Sequence, residues 1–182
     1  ADMHNSVWTD NIKLPEFRKL KGNVKTDVLI IGGGLCGILC AYFMKNAGVN
    51  YILVEGDRIA SGNTKNTTAK ITSQHGLIYN KLADRFGYEK AKMYLDANQM
   101  ALREYIDLCK NIDCDFEMKN NFVYSCNNRN LVEKEISIIN QLGFPAKFSE
   151  KTELPFNVAG AVCFPKQAQF NPLKLISSIS KD

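Results

Sequence analysis

The sequence has 182 residues, 45% of them hydrophobic, which is enough to bury a core and excludes a disordered chain. Its formal net charge is +4 and its lysines are scattered, a pattern typical of a solvated surface, so we expect no nucleic-acid partner. No apolar run reaches the roughly 18 residues that a membrane span needs, and the start lacks a signal-peptide pattern, so we expect no membrane span and a cytoplasmic protein.

The six cysteines include no C-x-x-C pair, and the sequence has two histidines. We therefore expect no metal site and predict reduced thiols. Cys36 and Cys40 lie one helical turn apart, so they are either redox-active beside a cofactor or small buried residues of a helix.

Residues 1–26 begin the chain, and their polar composition predicts an extended arm rather than a regular element. We expect its aromatic side chains, Trp8 and Phe17, to hold the arm against the rest of the molecule.

A strand, a turn and a helix are predicted next. A strand at 27–31 runs into three consecutive glycines, followed by an apolar-periodic helix at 35–47 that ends before Gly48. A second strand, at 51–55, ends in Glu55. This order predicts a Rossmann-like βαβ unit with a GxGxxG turn, and therefore an α/β fold.

The glycine turn is predicted to bind the diphosphate of a dinucleotide. Gly32 allows a sharp turn, Gly34 lets a diphosphate approach the backbone, and Gly37 lets the helix pack closely on the sheet. The start of the helix then directs unpaired amides at the anion. Glu55 is placed to bind ribose hydroxyls and disfavours a 2′-phosphate, so the ligand should resemble FAD or NAD rather than NADP. The alternative is a glycine loop that only packs.

Residues 56–76 show no strong periodicity and are rich in Gly, Ser, Thr, Asn and Lys. A stretch of 21 such residues inside a compact domain indicates a functional loop, and their hydroxyl and amide groups suit phosphate and heteroaromatic edges. The alternative is a solvated linker.

The rest of the chain is predicted to contain both helices and strands. Apolar positions at three- and four-residue steps predict two helices between 79 and 112, separated at Gly87. The next predicted elements are a turn at 113–117, a strand at 122–126, a helix at 131–142 capped by Asn127 or Asn128 and ended by Gly143, strands at 146–148 and 158–164, a loop at 167–172 and a helix at 173–179. A polarity shift near Asp113 predicts a boundary between a nucleotide-binding domain, 27–112, and a second, sheet-containing unit, 113–182.

The run VLIIGGGLCGILCAYFMKNAGVNYILVE and the later segment NTTAKITSQHGLIY resemble the N-terminal half of FAD-dependent oxidoreductases of the D-amino-acid oxidase and glycine oxidase superfamily. The resemblance extends from Trp8 onward and includes the run NPLKLI. It is greatest to bacterial members with a C-terminal Rieske iron–sulfur domain, which has no counterpart here. It implies a Rossmann-like FAD-binding domain followed by the beginning of an α+β substrate domain. It also implies that the chain is an isolated domain, a proteolytic product or the product of a truncated gene.

The resemblance implies a set of FAD ligands. The diphosphate turn is matched by Gly32, Gly33, Gly34 and Gly37, the ribose ligand by Glu55, a residue flanking adenine or ribose by Arg58, and positions near the phosphates by Asn63 and Thr64. The segment along the flavin ring is matched by Thr67, Thr68, Ala69, Lys70 and Ile71. Lys70 replaces the small or apolar residue of many relatives. It is either a cation that stabilises the reduced, anionic flavin or a surface lysine without flavin contact.

The implied activity is oxidation of an amine or amino acid by hydride transfer to FAD, with oxygen or an acceptor protein taking the electrons. No catalytic acid or base is predicted among these residues. Two alternatives are a non-catalytic dinucleotide-binding or electron-transfer partner module and an NAD-dependent dehydrogenase. The long loop after Glu55 disfavours the dehydrogenase.

Overall fold

The structure is a computed structural model that describes residues 6–9 and 12–181. Its elements, in chain order, are β1 (Val28–Ile31), α1 (Leu35–Asn46), β2 (Tyr51–Val54), a 3₁₀ turn (Asn63–Asn66), β3 (Lys70–Ile71), α2 (Tyr79–Phe86), α3 (Tyr88–Cys109), β4 (Glu117–Ser125), α4 (Arg129–Gln141), β5 (Lys147–Ser149), β6 (Gly160–Gln169) and α5 (Pro172–Ile179).

Contacts between these elements divide the chain into two compact units. Unit 1 comprises residues up to 69, residues 111–115 and residues from 170 onward, and unit 2 comprises 70–110 and 116–169. The sequence predicted an arm at 1–26 and domains at 27–112 and 113–182. In unit 2, α2 packs with both α3 and α4. The domain limits of the full-length protein stay a prediction.

Unit 1 contains the βαβ unit. Strands β1 and β2 pair in parallel, from Val28 with Tyr51 to Ile31 with Val54, and α1 connects them. Helix α1 ends just before Gly48, which adopts a φ of +69°, a left-handed conformation that glycine reaches without steric cost. These bounds agree with the predicted strand, helix and strand and confirm the α/β assignment.

The arm is attached within unit 1 by polar contacts. The Trp8 indole N–H donates to the Thr67 carbonyl at 2.8 Å, and the Ser177 hydroxyl donates to the Lys13 carbonyl at 3.1 Å. Trp8 therefore has the attaching role that the sequence predicted. Phe17 does not, since its side chain is 61% exposed.

Unit 2 is an antiparallel sheet with helices packed on it, as expected for the beginning of an α+β domain. The long strand β6 pairs with β3, β4 and β5. Three of the strands follow one another in the order β3-β6-β4, and β5 is an additional partner of β6. Its core joins helix side chains to β6, and its most buried large members are Tyr79, Leu95, Val132, Ile139 and Phe164.

In unit 2, glycines follow the ends of two helices and an asparagine caps the start of one, as these residue types predict. Gly87, with a φ of +83°, separates α2 from α3, and Gly143, with a φ of +89°, follows α4. The Asn128 side chain accepts a hydrogen bond from the Leu131 amide and is therefore the cap of α4, the second of the two predicted candidates.

The predicted loop at 167–172 is wrong at its start. Strand β6 continues to Gln169, where it pairs with Lys70 and Glu117. The strand pattern of the sequence breaks at Pro165 and Lys166. In the structure Lys166 has a φ of +55°, and the pairing of β6 with β4 shifts between Lys119 and Asn121. This irregularity is typical of a β-bulge, which accommodates proline within a strand that then continues.

None of the helices described in these ranges combines the length and the apolar character needed to cross a bilayer. The described residues also contain no group of three or more His, Cys, Asp or Glu side chains placed to hold a metal ion.

Candidate dinucleotide-binding site

The glycine turn between β1 and α1 has a shape that other residues could not adopt. Gly32 leaves the strand with a φ of +106°, and its amide donates to the Val54 carbonyl at 2.8 Å. A Cβ atom on Gly37 would lie 1.9 Å from the Gly32 carbonyl oxygen. Because backbone atoms cannot give way at that distance, the close packing of α1 on the turn requires glycine at position 37, for the reason predicted from the sequence.

Gly33 is enclosed by the segment that follows β2. Its amide donates to Glu55 Oε2 at 2.6 Å, and its carbonyl accepts from the Ala60 amide at 2.9 Å. A Cβ atom on Gly33 would lie 2.8 Å from Ile59 Cγ2 and 3.1 Å from Glu55 Cβ. Both polar groups of the residue are thus bonded to this segment of the chain.

The Glu55 carboxylate is held in its ionised form by backbone amides. Oε2 accepts from Gly33 and Oε1 accepts from the Asp57 amide at 3.0 Å. These hydrogen bonds, that from Gly33 foremost, hold the pKa of Glu55 below its ordinary value. A carboxylate has about four acceptor positions, so lone pairs remain for ribose hydroxyls.

Gly34 occupies the N-cap position of α1 and has no side chain with which to cap the helix. The capping oxygen comes instead from Thr64, whose Oγ1 accepts from the Leu35 amide at 3.1 Å. A Cβ atom on Gly34 would lie 3.3 Å from that oxygen. The close approach at Gly34, which the sequence assigned to a ligand, is made in this structure by the Thr64 hydroxyl.

The other predicted ligands of unit 1 lie outside this cluster. Arg58 is largely exposed and has a long, 3.9 Å ion pair with the exposed Glu16, a weak interaction in water. Three more side chains are exposed along the loop, those of Asn63, Thr67 and Thr68.

Ala69 and the two residues after it have a structural setting in the loop or in β3. Ala69 is buried with a φ of +58°, and its carbonyl accepts from the Phe170 amide at 3.2 Å. Lys70 and Ile71 belong to unit 2, where they form β3 and pair with β6. The Lys70 side chain is exposed and that of Ile71 is buried.

Two buried apolar residues that are not among the predicted ligands brace the turn. Ile59 and Ala60 are 5% and 3% exposed, and both contact Gly33. Ala60 has a φ of +56°, which is uncommon for a residue with a Cβ and occurs where surrounding structure determines the conformation. The sequence signal for both is an apolar pair inside an otherwise polar loop.

A groove of about 1460 Å³ lies within unit 1 beside the Glu55 carboxylate. The segment after β2 contributes Glu55, Arg58 and Lys65 to its lining, and α1 contributes Ile38 and Tyr42. The groove brings a fixed carboxylate and several basic side chains, including Arg58 and Lys65, to the same open space.

Cys36 and Cys40 are exposed on α1, so the prediction that they are buried helix residues is wrong. Partial desolvation, together with the neighbouring Cys36, raises the pKa of the Cys40 thiol above its ordinary value. A raised pKa lowers the thiolate fraction and therefore does not favour the redox interpretation.

The residues around the turn fit the diphosphate and ribose of FAD. The first amides of a helix have no acceptor within the helix, so those of Cys36 and Gly37 can donate to an anion, which the positive end of the helix dipole also attracts. Glu55 provides the acceptor that a ribose needs.

A family profile and a curated protein show what the sequence is similar to. The profile of the DAO family, described as FAD dependent oxidoreductase, matches residues 27–182. The YhfW protein of Bacillus subtilis (strain 168), named as a Rieske 2Fe-2S iron-sulfur protein, is 33% identical over 180 residues, which are 96% of this chain and 35% of that protein.

Solved structures with a similar fold include three enzymes. L-proline dehydrogenase from P. horikoshii has a TM-score of 0.65 at 18% identity, over 86% of this chain and 42% of that one. L-amino acid deaminase from Proteus vulgaris has a TM-score of 0.61 at 17% identity, over 93% and 40%. Glycine oxidase from Bacillus cereus ATCC 14579 has a TM-score of 0.57 at 20% identity, over 86% and 43%.

The chain thus spans about a third of its curated relative and about two fifths of these enzymes. The family profile, however, covers most of the chain, including the glycine turn and Glu55. The chain belongs to the DAO family of FAD-dependent oxidoreductases, whose cofactor is FAD.

Proposed function

We propose that the full-length protein oxidises an amine or an amino acid by hydride transfer to FAD. The observation that supports this most is the cluster of Gly32, Gly33, Gly37 and Glu55 around the start of α1, in a chain of an FAD-dependent family. Bound FAD would supply the hydride acceptor for the carbon next to the amine nitrogen.

In this proposal the residues of unit 1 bind and orient the cofactor. The amides at the start of α1 bind the diphosphate, and Glu55 accepts hydrogen bonds from the ribose. The groove beside Glu55 offers space for the adenosine end, where Arg58 could flank the base or the sugar. Asn63 and Thr64 are proposed to lie near the phosphates, as the family resemblance implies.

The flavin ring is proposed to lie along the segment made of Thr67, Thr68, Ala69, Lys70 and Ile71. This assignment rests on the family resemblance. The exposed Lys70 side chain is compatible with a cation beside the flavin and equally with a surface lysine.

The substrate class is supported by what the structural relatives are named for. Glycine oxidase, L-proline dehydrogenase and L-amino acid deaminase are all named for an amino acid or for amino acids in general. At 17–20% identity they support the class of substrate and not a particular member of it.

A second candidate is a role in electron transfer without amine oxidation. The name of the Bacillus subtilis relative as a Rieske 2Fe-2S iron-sulfur protein favours it, since such a cluster is an electron carrier. The same observation makes a protein acceptor, beside oxygen, a candidate for reoxidising the flavin.

The test is the visible absorption spectrum of the purified full-length protein, followed by anaerobic mixing with glycine, proline, other amino acids and simple amines. We expect flavin absorption bands that bleach with at least one of these compounds. Absence of flavin bands after incubation with FAD would overturn the proposal. Stoichiometric FAD without bleaching by any amine would favour the electron-transfer candidate.

A further inference from the structure

The start of α1 is capped by a residue that is distant in sequence. Helix caps usually come from Ser, Thr, Asp or Asn at the N-cap position itself, where the side-chain oxygen accepts an amide of the first turn. Gly34 holds that position and offers no oxygen, while Thr64 accepts from the amide of Leu35, 29 residues before it.

The geometry explains why the cap is not local. A Cβ atom on Gly34 would come within 3.3 Å of Thr64 Oγ1, closer than ordinary van der Waals contact. A capping side chain at position 34 would also stand over the turn, where an incoming diphosphate must approach. With the oxygen supplied by Thr64, the Leu35 amide is capped by a side chain that reaches the helix from the segment after β2.

The bond between Leu35 and Thr64 is one of three hydrogen bonds described here between the turn and the segment after β2. Glu55 accepts from the Gly33 amide, the Ala60 amide donates to the Gly33 carbonyl, and Thr64 accepts from the Leu35 amide. These hydrogen bonds hold the backbone on both sides of Gly34. None of them uses the amides of Cys36 and Gly37, which also have no acceptor within the helix.

We propose that Thr64 is a positioning residue of the cofactor site, which caps the Leu35 amide and so orients the Cys36 and Gly37 amides toward the diphosphate. This inference rests on the proposed function, because it assumes that FAD binds at the turn. The hydroxyl acts mainly as an acceptor from Leu35, so serine should replace threonine and valine should not.

The test compares Thr64→Val and Thr64→Ser in the full-length protein, with Thr152→Val in unit 2 as the matched control. Binding of FAD and of ADP is measured by titration, since ADP has the diphosphate and ribose but no flavin. We expect Thr64→Val to weaken both ligands about fivefold, the effect of losing one helix cap worth about 1 kcal/mol. Thr64→Ser and Thr152→Val should stay within about twofold of the wild type.

A second readout does not depend on the affinity for FAD. Hydrogen exchange of the Leu35 amide, followed by NMR without ligand, should accelerate in Thr64→Val and recover in Thr64→Ser. In the wild type, ADP should slow exchange of the Cys36 amide while leaving that of Leu35 unchanged. If Thr64→Val does not fold, these wild-type exchange rates and the serine variant still test the proposal.

The outcomes separate this inference from the proposed function. Wild-type affinity in Thr64→Val, or equal losses in Thr64→Ser or Thr152→Val, would overturn the role of Thr64 while leaving FAD binding intact. If the wild-type protein bound neither FAD nor ADP, the proposed function would fail and the positioning role with it. The exchange of Leu35 would then report on the helix cap alone.

Discussion

The Glu55 carboxylate accepts a hydrogen bond from the Gly33 amide at 2.6 Å, between residues 22 positions apart. The bond joins the end of β2 to the turn that follows β1. The residue predicted to bind the ribose therefore also determines the shape of the turn predicted to bind the diphosphate. Disturbing either residue should affect both parts of the site.

The first prediction concerns the pH dependence that Glu55 confers. Amide hydrogen bonds lower its pKa in the folded state, so its stabilising contribution is present above the ordinary carboxyl pKa of about 4.3 and is lost as the pH falls through the lower folded value. Glu55→Gln cannot titrate. We expect the wild type to exceed this variant in stability near neutral pH, with a difference that shrinks on acidification.

Urea unfolding of both proteins at several pH values below 6 measures this difference. Asp57→Asn is a suitable control, because it removes a neighbouring carboxylate and keeps the backbone amide that bonds to Glu55. A difference between wild type and Glu55→Gln that is independent of pH would refute this explanation.

The second prediction concerns Gly37. An alanine there would place Cβ 1.9 Å from the Gly32 carbonyl oxygen and force α1 away from the turn. We expect Gly37→Ala to destabilise the protein by about 3 kcal/mol, the upper range for overpacking, and to abolish FAD binding. Chemical denaturation and FAD titration measure the two effects.

Gly56→Ala is the matched control for Gly37→Ala, since a Cβ atom at position 56 would meet nothing within 4 Å. It should change stability by less than about 0.5 kcal/mol. Equal stability of the two variants would show that the close packing at Gly37 is not required.

The βαβ unit could be predicted from the sequence because its determinants are local. An apolar strand, the glycine turn and the stop at Gly48 are adjacent in the chain, and the helix ends at Gly87 and Gly143 follow the same logic. The strand β6 was predicted too short because a bulge at Pro165 and Lys166 depends on pairing with residues more than 40 positions away.

In the candidate site, too, the sequence predicted the local features and not the contacts between distant residues. The glycines and Glu55 follow from spacing along the chain, whereas the bond from Leu35 to Thr64 and the burial of Ile59 and Ala60 depend on how the loop folds back. Loop composition identifies hydroxyl groups suited to a ligand but not which one faces the turn. Composition therefore could not predict that Thr64 lies at the turn while Thr67 and Thr68 are exposed.

The third prediction concerns Glu135 in unit 2. Its side chain is 1% exposed, and it accepts from the amides of Tyr79 at 2.7 Å and Asn80 at 2.9 Å, so it caps α2 from a different helix. Glu135→Gln would replace one carboxylate oxygen by an amide NH2, which cannot accept a hydrogen bond from either backbone amide. We expect a loss of about 2 kcal/mol in unfolding free energy, the cost of an unsatisfied buried donor.

The matched control is Glu133→Gln on the same helix, where the half-exposed carboxylate pairs with Arg129. That variant should cost less than about 0.5 kcal/mol. Burial also raises the pKa of Glu135, so its contribution to stability should fall as the pH rises through the raised value, and Glu135→Gln should lack this decline. Equal losses in both variants would contradict the capping role.

The fourth prediction concerns Trp8. Replacing it with phenylalanine removes the indole donor to the Thr67 carbonyl, a net loss of about 1 kcal/mol for the local structure of the loop. We expect faster tryptic cleavage after Lys65 in Trp8→Phe, mapped by mass spectrometry of the native digest. Phe17→Leu should leave the rate unchanged because Phe17 is exposed. Unchanged cleavage in Trp8→Phe would mean that the arm does not restrain the loop.

The most direct measurement is a crystal structure of the full-length protein with FAD. We predict diphosphate oxygens within hydrogen-bond distance of the amides at the start of α1 and ribose hydroxyls on the Glu55 carboxylate. A diphosphate bound elsewhere, with the glycine turn still closed by Glu55 and Thr64 alone, would contradict the account.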